Sequence, residues 1–114
     1  MPDNKFPPPP KGLRSETAEW WREITRDYVL ETTHLKLLTL ACRAWDRVST
    51  AREALAKHGL SFEDKHGVAR PRPEVAIERN SAILFARLVR ELRLSDTPEP
   101  DEPIRNSMSA RRNT

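Results

Sequence analysis

The fold of this chain is decided by residues 33–59, THLKLLTLACRAWDRVSTAREALAKHG. Five apolar side chains recur there at intervals of three, four, three and seven residues, the spacing of one face of an α-helix: Leu38, Ala41, Trp45, Val48 and Leu55. At 100° per residue, three cations fall within an arc of about 40° on the far side: Lys36, Arg43 and Arg47. The pattern predicts a long helix that packs through one face, carries positive charge on the other and ends at Gly59.

The first half of this predicted helix is apolar on nearly every side. A helix in a small monomer needs only one apolar face, so the additional apolar side chains require another explanation. We predict that they pack against a neighbouring copy of the chain, and the residues assigned to this oligomer contact are Leu35, Leu37, Leu40 and Cys42.

Two further helices are predicted. The first covers about residues 15–28, with Ser15 as its N-cap, and docks through a narrow apolar face: Trp20, Trp21, Ile24 and Tyr28. The long helix follows at about residue 33, with Thr32 or Thr33 as its cap. The last helix covers about residues 73–92, because Pro73 suits the first turn of a helix and a wide apolar face follows it.

The link between the second and third predicted helices, residues 60–73, has a different character. Leu60 and Phe62 alternate with polar residues, and the segment around Gly67 is rich in turn-forming residues. This pattern predicts a short β-hairpin in which residues 68–70 pair back, and an irregular loop fits it nearly as well. The predicted fold is therefore all-α, with three main helices and a hairpin or loop between the last two.

Three segments are predicted along the chain. Residues 1–14 form a flexible arm, because Pro7–Pro10 lack backbone donors and favour an extended conformation. Residues 15–95 form one helical domain for DNA binding and oligomerisation. Residues 96–114 contain almost no apolar side chains and are predicted to be a disordered tail.

Several functional classes are disfavoured by the composition. No apolar run reaches the length of a membrane span, and a single cysteine cannot form an internal disulfide, so we expect a cytosolic protein without a membrane association. With three glycines in all, the chain has no phosphate-cradling loop, and its three histidines lack metal-ligand spacing. We therefore expect no enzymatic activity, no cofactor and no metal.

The balance of charge favours a polyanionic partner. The chain has 20 Lys plus Arg against 17 Asp plus Glu, and arginine supplies 15 of the cations. Extended cationic side chains release condensed counterions when they approach DNA. The residues predicted to bind nucleic acid are Lys36, Arg43, Arg47, Arg70, Arg72, Arg79, Arg87 and Arg90. Each of them alone also fits a solvated helix face with local ion pairs, but a symmetric ring would repeat the set many times.

Three functional classes remain open on the residues alone. A ring-forming DNA-binding protein would show high-order symmetry and bind the DNA backbone with little sequence preference. A dimeric transcriptional regulator would show two-fold stoichiometry and a strong sequence preference. A protein-binding helical scaffold would not retain DNA even at low salt.

The order of these features resembles the small terminase subunits of tailed bacteriophages, in the branch found with HK-type phages. The similarity runs from about Pro10 to Ser95 and includes a tryptophan pair in WWREI, residues 20–24, and the helix exit ALAKHGL, residues 54–60. It continues through the entry Arg72-Pro73 and the ending ELRLS, residues 91–95. The chain departs from the family at Arg93, where glycine is usual, and at Asp96, where proline is usual.

This resemblance implies a function in viral DNA packaging. Members of the family form rings, commonly of nine copies, that recognise double-stranded viral DNA and deliver it to the large terminase subunit. The large subunit carries the ATPase and nuclease activities, and the small subunit regulates them. The resemblance thus implies a non-catalytic homo-oligomer in the cytoplasm of a bacterial host, with viral DNA and the large subunit as its partners.

Overall fold

The computed structural model of the chain describes residues 6–94 and 110–111. In this part of the chain, the elements in order are α1 (Ser15–Asp27), β1 (Tyr28–Val29), α2 (Thr32–His58), β2 (Ser61–Glu63), β3 (Ala69–Pro71), α3 (Pro73–Leu92) and β4 (Ala110–Arg111). The prediction of three main helices is confirmed, and two small two-stranded sheets accompany them, β2–β3 and β1–β4. None of the described helices is both long and apolar enough to cross a membrane.

The hairpin predicted between the second and third helices is confirmed. Strands β2 and β3 pair antiparallel, with Phe62 opposite Arg70 and Glu63 opposite Ala69. The irregular loop that the sequence left open as an alternative is therefore wrong. Asp64 closes the turn, because its Oδ1 atom accepts the backbone N–H groups of His66 and Val68 at 2.8 and 3.0 Å.

The starts of α1 and α2 differ from the predicted caps. Ser15 is the first helical residue of α1, and Arg14 takes the N-cap position. At α2 the cap is Glu31 and not Thr32 or Thr33, because a capping box forms instead. The Glu31 side chain accepts the backbone N–H of His34, while His34 Nδ1 accepts the Glu31 backbone N–H at 3.2 Å.

The ends of α2 and α3 agree with the predicted boundaries. Gly59 stops α2 with a positive φ of 84°, and its N–H donates to the Leu55 carbonyl at 2.8 Å. The last helix, α3, spans Pro73–Leu92 as predicted, with proline in its first turn. Arg93 follows it in the left-handed region, with φ 54°.

The core lies where the three helices meet, and all six members of its buried cluster are at most 9% exposed: Trp21, Ile24, Tyr28, Leu38, Cys42 and Leu92. The α2 and α3 helices are antiparallel. Their register follows from two side-chain pairs, since the rings of Trp45 and Phe85 lie 4.9 Å apart and Arg52 Nε lies 2.6 Å from Glu78 Oε2.

The segment before α1 contacts the helices over its described part, residues 6–14. The indole Nε1 of Trp21 donates to the Pro7 carbonyl at 2.9 Å, and Leu13 packs against the core. Residues 1–5 lie outside the described residues. The predicted disordered tail also lies outside them, apart from β4, which pairs antiparallel with β1.

Candidate nucleic-acid interface

One basic stripe lies along α2. Its buried face is formed by small and aliphatic side chains such as Leu38, Ala41 and Val48, each 0% exposed, so the cations of the opposite face project into solvent. The exposed side chains of this stripe share an arc of about 60°: Lys36, Leu40, Arg43 and Arg47. No acidic residue of α2 falls within this arc.

A second basic stripe lies along α3. Leu88 and Leu92 are buried, and the residues on the outer side of this helix are exposed. An arc of about 80° holds three cations and one exposed aliphatic side chain: Arg79, Ile83, Arg87 and Arg90. This arc also contains no acidic residue.

The two stripes lie on neighbouring helices. A cleft of about 330 Å³ between α2 and α3 is lined by Arg47 of α2 and Ile77 of α3, and also by the acidic side chains of Asp46 and Glu74. Because Trp45 is level with Phe85 and Arg52 with Glu78, the antiparallel register places Arg43 level with Arg87 along the helices. We use the term basic face for the exposed cations of the two stripes taken together: Lys36, Arg43, Arg47, Arg79, Arg87 and Arg90.

The two hairpin arginines of the predicted set do not join the basic face. Arg70 Nε lies 2.9 Å from Asp64 Oδ2, and Arg72 Nε lies 3.3 Å from Glu74 Oε1. Hydrogen bonds from the Val68 backbone N–H, the Arg70 side chain and the His66 backbone N–H hold the pKa of Asp64 below its usual value. The charge of Arg70 is therefore largely used inside its own hairpin.

The cations of the basic face differ from most other described arginines in having no ion-pair partner among the described residues. Within the described residues, ion pairs involve Arg14, Arg22, Arg26, Arg52, Arg70 and Arg72. The six cations of the basic face form none with any described residue. A phosphate group approaching this face would not have to displace an existing carboxylate partner.

The residues of the predicted oligomer contact differ in their exposure to solvent. Leu40 is 52% exposed and lies within the basic stripe of α2, while Leu35 and Leu37 are half-buried against the core. Cys42 is 0% exposed, because Trp21, Ile24 and Leu92 belong to the same buried cluster. Cys42 is therefore covered by its own chain, and its assignment to that contact stays a prediction.

Arg14 has a structural function that the sequence pattern did not indicate. Its guanidinium donates to both carboxylate oxygens of Glu53 at 2.8 Å and to Thr50 Oγ1 at 3.1 Å, and its backbone N–H donates to Asp46 Oδ2 at 3.0 Å. The hydrogen bond from Arg14 lowers the pKa of Glu53 from its usual value. Since the partners lie 32–39 residues away in sequence, no local pattern predicts this clamp.

An aromatic cleft between the three helices was also not predicted. Trp20 and Trp45 each lie beside Phe85, with ring centroids 5.7 and 4.9 Å apart and tilted planes. The cleft has a volume of about 310 Å³ and is lined by Glu16, Thr17, Trp20, Trp45 and Phe85. The sequence pattern assigned Trp20 and Trp45 to packing, and the structure leaves both half-buried.

The described residues provide no candidate metal centre. Within residues 6–94 and 110–111, no three His, Cys, Asp or Glu side chains come together in a group that could hold a metal ion.

The fold and the basic face together define a small helical protein with a cationic outer surface on its two longest helices. A model of the family described as phage terminase, small subunit, matches residues 17–99, and the chain belongs to this family. Comparisons with curated proteins and with solved structures give no match. Family membership points to a function in phage DNA packaging, and it confirms the resemblance at the level of the family.

Proposed function

We propose that this chain is the non-catalytic small subunit of a phage terminase and binds double-stranded viral DNA. In this proposal the copies assemble into a nonamer-like ring in the host cytoplasm and regulate the ATPase and nuclease of the large subunit. The family match supports the packaging function. The details of DNA binding, assembly and regulation are our inference.

The observation that carries the proposal is the basic face. Its six cations are exposed, none has an ion-pair partner among the described residues, and five of them are arginines. Neutralising phosphates with such side chains releases counterions, which supplies affinity that does not depend on base sequence. Neither α2 nor α3 projects as a separate recognition helix, so we expect contacts with the DNA backbone and little direct base readout.

Assembly into a ring would strengthen these contacts. Each copy would present the same basic face, and weak contacts from several copies to one DNA molecule act together once the first has formed. A ring would also stabilise a chain of this size, because its described residues include only eleven buried hydrophobic side chains.

The experiment that tests DNA binding replaces Arg43 and Arg47 together with alanine. The affinity for duplex DNA should fall, and the slope of log affinity against log salt should become shallower by about 0.9 for each phosphate that the variant no longer neutralises. Titration of labelled duplex at several salt concentrations measures both quantities.

A matched control replaces Arg22 and Arg26, which are also exposed arginines but pair with Glu19 and Asp27 on α1. This variant should keep the affinity and salt dependence of the wild type apart from a small effect of net charge. An equal fall in affinity for the two double variants would show that overall charge, and not the basic face, governs binding.

A further inference from the structure

The β2–β3 hairpin presents one apolar surface to solvent. Side chains alternate along each strand, so Phe62 shares a side with its cross-strand partner Arg70 and, continuing the register, with Leu60, Val68 and Arg72. Three of these side chains are apolar and well exposed, at 66% for Leu60, 43% for Phe62 and 49% for Val68. We call this surface the hairpin knob.

The knob is held in shape by the turn beneath it. Asp64 accepts two backbone N–H groups and the side chain of Arg70, so the hairpin does not depend on a partner for its conformation. A preformed apolar element loses little conformational entropy when it docks. Within its own chain the three apolar side chains of the knob stay between 43% and 66% exposed.

The aromatic cleft has the size and chemistry to receive the knob. Its volume is about 310 Å³, and an enclosed cavity of about 150 Å³ is enough to hold benzene. Trp20, Trp45 and Phe85 supply tilted rings, and a further aromatic ring can pack on their edges and faces. The cleft is lined by residues of the three helices alone, so the Phe62 of the same chain does not fill it.

The two surfaces have opposite net charge. On α1, four acidic side chains share an arc of about 80° beside Trp20; Glu19 and Asp27 pair with Arg22 and Arg26, and Glu16 and Glu23 form no ion pair with a described residue. Arg70 and Arg72 lie on the same side of the knob as Phe62 and pair with Asp64 and Glu74. Residues 60–72 keep a net charge of +1, from Lys65, Arg70 and Arg72 against Glu63 and Asp64. The basic face is less suited to receive the knob of another copy, because the positive charges of the two surfaces would repel each other.

We propose that the hairpin knob of one copy inserts Phe62 into the Trp20–Trp45–Phe85 cleft of the next copy. The knob and the cleft are different surfaces, so the contact is head-to-tail, and an open assembly keeps one free knob at one end and one free cleft at the other until the ring closes. This contact leaves the exposed cations of the basic face out of the interface. The inference rests on the ring assembly in the proposed function and supplies its interface.

The test uses two variants of the full chain that disable opposite halves of the contact. Phe62→Asp places a charge on the knob, and Glu16→Trp fills the cleft from an exposed position at its rim. Native mass spectrometry should show wild-type assemblies and only monomers for each variant alone. A 1:1 mixture should give heterodimers and nothing larger, because one working knob and one working cleft remain.

Two controls match these changes. Ile83→Asp alters an aliphatic side chain of similar exposure, 48%, on the basic face, and Glu23→Trp adds a tryptophan to α1 away from the cleft. Both should retain the wild-type assembly. Loss of assembly in Ile83→Asp, wild-type assembly by Phe62→Asp, or a mixture that stays monomeric or forms full rings would overturn the contact.

The outcomes separate this contact from the rest of the proposed function. A wild-type chain that is monomeric would overturn the ring and the knob contact together. A wild-type assembly that fails to retain duplex DNA would overturn DNA binding and leave the contact intact if the mixing result holds.

Discussion

The backbone at Arg93 shows why the family pattern favours glycine directly after α3. It takes a left-handed conformation, φ 54°, directly after α3. In this conformation the Cβ of a non-glycine residue crowds the following carbonyl, at a cost of about 1–2 kcal/mol. The family resemblance places glycine here, and glycine has no Cβ. The sequence therefore located the end of α3, and the backbone conformation explains why glycine is favoured there.

Replacing Arg93 with glycine should stabilise the protein. We expect the free energy of unfolding to rise by about 1 kcal/mol, since relief of the left-handed strain is partly offset by the greater freedom of glycine in the unfolded chain. Urea denaturation followed by circular dichroism measures this change. Arg90→Gly is the matched control, and it should lower the free energy by about 1 kcal/mol because residue 90 lies inside the helix. A destabilising effect of Arg93→Gly would contradict this interpretation.

At the scale of the elements, periodicity predicted what depends on local sequence. The spacing of Leu38, Ala41 and Val48 defined the buried face of α2, and Gly59 and Pro73 correctly marked an end and a start. The N-cap residues of α1 and α2 could not be predicted in the same way, because several neighbouring residues near a helix start can act as its cap. At α2 the box formed by Glu31 and His34 prevailed over Thr32 and Thr33.

The hairpin depends on the carboxylate of Asp64, which accepts two backbone N–H groups and pairs with Arg70. Asp64→Ala should abolish the cross-strand contacts between Phe62 and Arg70 in NMR spectra while the three helices remain. Asp64→Asn, which keeps an oxygen acceptor without the charge, should retain part of them. Intact cross-strand contacts in the alanine variant would contradict this assignment.

The hairpin should also respond to acid. The folded-state pKa of Asp64 lies below its usual value of 3.8, so its stabilising effect is complete above that pH and is lost as the pH falls through the lowered pKa. The cross-strand contacts should therefore persist at pH 5 and weaken below about pH 3.8. The same titration of Asp64→Asn should show no such step at this site. Loss of the contacts between pH 7 and 5 would point to a different group.

At the scale of the whole molecule, the candidate site was only partly visible in the sequence. Helical period placed the cations of α2 and α3 on outer faces, because position on a helix depends on local spacing. It did not reveal that Arg70 and Arg72 pair with acidic neighbours, nor that the hairpin and the aromatic cleft expose complementary surfaces. The apolar character of α2 was also ambiguous, since spacing alone cannot show which apolar side chains are covered by α1 and α3.

The reactivity of Cys42 tests whether this apolar side chain of α2 is covered by its own chain or by a neighbouring copy. Burial, with a smaller effect from Asp46, raises the pKa of its thiol to about 12, and only the thiolate reacts with disulfide reagents. At pH 8, native protein should therefore react far more slowly than urea-unfolded protein. Ala86→Cys in a Cys42→Ala background provides an exposed thiol on α3 as the control, and it should react at the rate of a free cysteine.

The same reaction tests whether a neighbouring copy shields Cys42. Its side chain is 0% exposed within a single chain, through a cluster that includes Trp21 and Leu92. Slow labelling should therefore persist in Phe62→Asp, although that variant is expected to be monomeric. If monomerisation made Cys42 as reactive as the exposed control, the neighbouring copy would be its cover, and the sequence-based assignment of Cys42 to the oligomer contact would stand. Continued protection would show that the three-helix core closes before any assembly.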